Sequence, residues 1–101
     1  MIMRGTTPTH TFTVPIDTDA ISKVKVIYAQ EDAVLFAKDT EECGCKDGTI
    51  TVKLTQADTL KFDCKKPAQI QMRILTQDGE ALLSDIAYTS VGKCLDNEVI
   101  A

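Results

Sequence analysis

Apolar and polar residues alternate along most of this chain with a period of two, the spacing that turns one face of a strand to a core and the other to water. The clearest case is Ala68–Ile86, AQIQMRILTQDGEALLSDI, in which Ile70, Met72 and Ile74 fall on one side and Gln69, Gln71 and Arg73 on the other. Asp78-Gly79 follows, the pair that most readily takes positive φ at both centres of a tight turn, and then the apolar run Ala81, Leu82, Leu83 and Ile86. This stretch predicts a hairpin. Thr9–Val14 alternates three threonines with His10, Phe12 and Val14, and Ser22–Gln30 sets Val24, Val26 and Tyr28 against Lys23, Lys25 and Ile27. Ala33–Thr40 sets Val34 and Phe36 against Leu35 and Ala37, while Thr49–Leu54 sets Ile50, Val52 and Leu54 against Thr51 and Lys53.

The breaks between these runs have their own chemistry. Gly5 and Pro8 should hold Met1–Pro8 out of the fold as an extended arm, since proline pushes the residue before it away from helix. Pro15, Asp17-Thr18-Asp19 and Glu31-Asp32 mark turns. Glu41–Gly48, EECGCKDG, is irregular and ends in a second Asp-Gly. Thr55 and Asp58 fit the start of one short helical turn, with the threonine as N-cap and the acid three residues on. Lys65-Lys66-Pro67 stops that turn, Tyr88–Val91 continues or kinks the last strand, and residues 95–101 form a short tail. The pattern predicts six or seven strands with turn signals at roughly 8 to 12 residue spacing, and no helix long enough for a crossover. The fold class is therefore all-β: a small antiparallel β-sandwich, Ig-like, over the single domain 1–101, with a small barrel as the competing architecture. Its core should include Phe12, Val24, Val26, Phe36, Ile50, Val52, Leu54, Leu60, Ile70, Met72 and Ile74.

Composition narrows the functional classes. A chain of 101 residues with 44% hydrophobic and 26% charged residues is long enough to bury a core without metal or disulfide staples. It lacks any apolar run near the ~20 residues that span a bilayer, and its amino terminus lacks the apolar centre of a secretory signal, so synthesis in a cytoplasm is expected. The net charge of −4, with acids and bases interspersed, leaves no basic stripe for a phosphate backbone, and neither nucleic acid nor membrane is expected as a partner. The one histidine, His10, reads as a strand residue rather than the base of a triad. The carboxylates Asp17, Asp19, Asp32, Asp47 and Asp78 fall in turns, and no phosphate-loop, dinucleotide or zinc-protease motif occurs. No enzymatic activity and no cofactor are expected. Cys43 and Cys45 form C-x-C, whereas Cys64 and Cys94 stand alone. The spacing favours unpaired small thiols, with a native disulfide or a zinc or redox site on Cys43, Cys45, Cys64 and Cys94 as alternatives.

Four runs, MRGTTPTHTFTVPID (Met3–Asp17), KLTQADTLKFD (Lys53–Asp63), IQMRILTQDGEALLSDI (Ile70–Ile86) and SVGKCLDNEVI (Ser90–Ile100), resemble short proteins encoded in the structural modules of tailed bacteriophages and prophages of Gram-positive bacteria. A looser, architectural likeness extends to the amino-terminal immunoglobulin-like domain of siphophage upper-baseplate proteins, which shares strand, strand, a helical turn after an L-T motif, then a strand-DG-strand hairpin. The resemblance implies a non-enzymatic virion component of the tail or baseplate, in contact with other virion proteins and present as a homo-oligomer or in repeated copies. It assigns no role to any individual residue.

Overall fold

The computed structural model describes all of residues 1–101. Ten strands are present: β1 (Ile2–Met3), β2 (Thr9–Thr13), β3 (Ile21–Gln30), β4 (Ala33–Lys38), β5 (Cys43–Lys46), β6 (Thr49–Lys53), β7 (Ala68–Thr76), β8 (Ala81–Leu83), β9 (Ala87–Thr89) and β10 (Val91–Gly92). A single-turn helix, α1 (Gln56–Thr59), and 3₁₀ turns at Thr18–Ala20 and Thr40–Glu42 complete the chain. The larger sheet has the order β4-β3-β7-β8, with β9 also pairing β7, and the smaller has the order β2-β6-β5. All pairs in both sheets are antiparallel. The fold is all-β and sandwich-like, as the alternation predicts.

Alternation fixes which face of each strand is inside. Val24, Val26 and Tyr28 on β3 lie opposite Ile74, Met72 and Ile70 on β7, and Ile50 and Val52 on β6 meet them from the smaller sheet. One apolar cluster joins these residues to Leu54, Phe62, Val14 and Ile21. Two buried glutamines tie connections to this frame. Gln30 accepts from the Asp63 amide and donates to the carbonyls of Asp63 and Lys66. Gln69 accepts from the Asp32 amide and donates to its carboxylate, which secures the Glu31-Asp32 turn, where both residues hold positive φ (50° and 63°).

Several expectations are corrected. The arm Met1–Pro8 is built into the fold: Ile2 is 1% exposed and joins the core, β1 pairs in parallel with β10, and the Gly5 amide donates to the Thr59 hydroxyl. A buried isoleucine outweighs the turn chemistry of Gly5 and Pro8. Cys43–Lys46 is a strand on β6, closed by Asp47-Gly48 with positive φ at both residues (51° and 78°). At the other Asp-Gly only Gly79 is left-handed (φ 87°), and the turn is a three-residue type, with Gly79 N donating to Thr76 O and Thr76 N to Glu80 O. Val34 and Phe36 do not share a face, because the ladder slips at Tyr28/Ala29 and leaves Leu35 as the extra residue of a bulge. Val34 is exposed and Leu35 packs on the core. Phe12, Phe36, Leu60 and Ile70 are half-buried. The Ala68–Ile86 hairpin forms as read, with β8 antiparallel to β7, and its second arm, Ala81–Ile86, remains in solvent.

Candidate functional site

The most polar feature of the interior is a seam between the sheets. Lys38 sits at the end of β4 opposite Val26, on the inward side. Its Nζ lies 2.7 Å from Asp58 Oδ2 and 3.5 Å from Glu42 Oε2. Asp58 is held by local helix chemistry: its amide donates to Thr55 Oγ1 (3.1 Å) and its carboxylate accepts from the Thr55 amide (2.9 Å), a reciprocal cap. One carboxylate thus closes α1 and neutralises a buried lysine. Burial alone would lower the Lys38 pKa, but the hydrogen bond and charge of Asp58, with those of Glu42, outweigh it and raise the value. Burial would likewise raise Asp58, and Lys38 and Thr55 overcome that to hold the carboxyl below its usual range.

Around this pair lie the other titratable groups of the interior. Burial, with the nearby Cys43 and Asp58, pushes the Tyr28 phenol upward, so it keeps its proton. Burial lowers His10, and its neutral imidazole shares a hydrogen bond between Nδ1 and the Tyr28 hydroxyl at 2.7 Å. The Tyr28 ring stacks on Phe36 at 4.8 Å, and Phe62 meets both edge-on. His10 and Cys43 flank Val52 in one row of the smaller sheet, two strand spacings or about 10 Å apart, which is beyond direct proton transfer. Burial and the neighbouring acids raise the Cys43 thiol, which donates weakly to the Lys38 carbonyl. Each group has a hydrogen-bond or ion-pair partner within the fold.

The four cysteines do not meet. Cys43 and Cys45 lie on β5 opposite Val52 and Ile50, Cys64 packs on the core in the connection after α1, and Cys94 lies beside Gly5. All four are free thiols, and no group of three or more His, Cys, Asp or Glu is placed to hold a metal ion. Neither the seam nor its ion pair was read from the sequence. The available signal was Lys38 in the alternation frame of Phe36, together with the capping position of Asp58.

The second feature is the free edge of the larger sheet. β8 and β9 follow the same side of β7 and are interrupted at Ser84, whose amide donates to Met72 O while its hydroxyl accepts from Met72 N. All eight residues of Ala81–Tyr88 are exposed, and among them are Leu82, Leu83, Ile86 and Tyr88. Even-numbered Glu80, Leu82 and Ser84 turn their backbone groups to β7, so those of Ala81 and Leu83 face outward. Comparison with known proteins finds no family model, no curated protein and no solved structure that matches the chain.

Proposed function

We propose that this chain is a non-enzymatic structural protein of a tailed phage or prophage particle, a tail or baseplate component that acts by binding other virion proteins in repeated copies. The observation that carries the reading is the exposed edge Ala81–Tyr88. This segment leaves Leu83 and Tyr88 largely in water, and an open edge with outward amides and carbonyls is a template for a neighbour's strand. Leu83, 65% exposed, sits on that edge beside unpaired backbone groups. The four runs that resemble phage structural-module proteins supply the biological setting, in which the chain is made in the bacterial cytoplasm and built into the virion. The seam of His10, Tyr28, Lys38, Cys43 and Asp58 supports a non-catalytic role, because its acid, base and thiol are each held by a partner within the fold. Leu83→Asp tests the reading. The variant should keep the wild-type melting temperature and be lost from assembled particles; normal incorporation would overturn the proposal.

A further inference from the structure

The outward face of the larger sheet carries a cleft of about 720 Å³ that the fold itself leaves unused. Lys23 and Lys25 of β3 and Arg73 of β7 line it with Leu75, and Asp39 and Glu41 stand on its wall. Lys25 lies directly across the ladder from Arg73, and Lys23 across from Leu75. The ion pairs of the chain are Lys38–Glu42, Lys38–Asp58 and Lys66–Glu31, so none of these three cations is in a direct ion pair, and with Asp39 and Glu41 on the wall the cleft keeps one positive charge in excess. Like charges directly opposite on a sheet are unfavourable, and an anionic ligand with an apolar part would relieve the cost.

The segment Leu95–Ile100 has that chemistry. Leu95 is 91% exposed and Ile100 76%, with Asp96 and Glu98 between them. The segment is held in shape: the Ile100 amide donates to Gln56 Oε1 at 2.8 Å, Gln56 Nε2 donates back to the Ile100 carbonyl, and Arg4 Nη2 donates to Asn97 Oδ1 at 2.9 Å. A preformed acidic loop loses little freedom on docking. It lies beside α1, at the end where β3 finishes and Gln30 bonds Asp63 and Lys66. The cleft lies where β3 begins and β7 finishes, at Ile21 opposite Thr76. The loop and the cleft thus lie toward opposite ends of β3 in a molecule 46 Å along its longest axis.

We propose that copies of this chain associate head to tail, with the acidic loop Leu95–Ile100 of one copy seated in the Lys23/Lys25/Arg73 cleft of the next. This rests on the assembly reading above and deepens it by naming one partner as a second copy. Donor and acceptor are different surfaces, so the contact is heterologous and repeats into a ring or an open filament. Sedimentation velocity of the full chain over rising concentration should show growth beyond the monomer, weakened at high salt because the contact is between exposed charges. The charge reversals K25E/R73E and D96K/E98K should each give a monomer with an unchanged circular dichroism spectrum. Mixed together, the two variants should associate again, since each offers the other a matching loop and cleft. A wild-type chain that stays monomeric, growth that survives both reversals, or a mixture of folded variants that stays monomeric would overturn the head-to-tail contact. Those outcomes leave incorporation of Leu83→Asp as the separate test of the virion reading.

Discussion

Asp58→Ala is the most informative single perturbation of the fold. The Lys38 and Asp58 side chains are only 11% and 10% exposed, so removing the carboxylate strands a charge that water reaches poorly. Glu42 is the remaining partner, at 3.5 Å and half exposed. Breaking a buried pair by deleting one member costs about 3 to 5 kcal/mol, and loss of the reciprocal cap on Thr55 adds about 1 kcal/mol. A domain of this size loses about 4 to 8 °C in melting temperature per kcal/mol, so the drop should exceed about 15 °C. Asp58→Asn keeps the capping oxygen and should cost the charge component alone. The combination Lys38→Met with Asp58→Asn removes both charges and keeps both the cap and an apolar stem beside Phe36. It should return to within about 1 kcal/mol of wild type, because replacing a whole buried pair is often neutral. Urea unfolding followed by circular dichroism at neutral pH gives all three values. A cost below about 1 kcal/mol for Asp58→Ala, or a double variant as unstable as the single ones, would refute the reasoning.

Ile2→Ala should cost about 2 to 5 kcal/mol in the same assay, because β1 is part of the core; a cost near zero would mean that the segment is not docked in solution. Ile50→Ala should fall in the same range, whereas Val34→Ala, on the solvent side of the β4 bulge, should cost less than about 0.5 kcal/mol. His10 has a lowered pKa in the folded state, so the unfolded chain binds the proton first and stability should decline as pH falls below about 6.5; His10→Asn should remove that slope from the urea midpoint. The Asp58 carboxyl is held low, so its contribution should be complete above about pH 4 and lost as pH falls through its lowered value. Lys38 is held high, so its contribution should be complete below about pH 10.4 and fade as pH rises through its raised value, and the double variant should be flat at both limits.

The fold was legible wherever one strand face meets the core and the other meets water. β3, β6 and β7 alternate cleanly, and their inward residues Val24, Val26, Ile50, Val52, Met72 and Ile74 are buried as read. Alternation fails where pairing is imposed from outside the segment. CGCK has no apolar rhythm, and it becomes β5 because the left-handed Asp47-Gly48 turn folds it back on β6. The extra residue Leu35 in β4 reverses the faces of a run that reads regularly. The apolar run Ala81–Ile86 supplies the hairpin partner of β7 through β8 yet stays exposed, because the smaller sheet, with three strands against the larger sheet's five, does not extend far enough to cover it. The ion-paired seam was hidden for a different reason. Lys38 and Asp58 are far apart in sequence, and their partnership depends on α1 crossing the end of the sandwich.

The most direct test of the proposed assembly role is a cryo-electron microscopy map of any tailed particle released by cells that encode this chain. The expected result is this sandwich in repeated copies within the tail or baseplate, with the Ala81–Tyr88 edge covered by a neighbouring protein. A complete particle from which the chain is absent, or one in which that edge faces solvent in every copy, would contradict it.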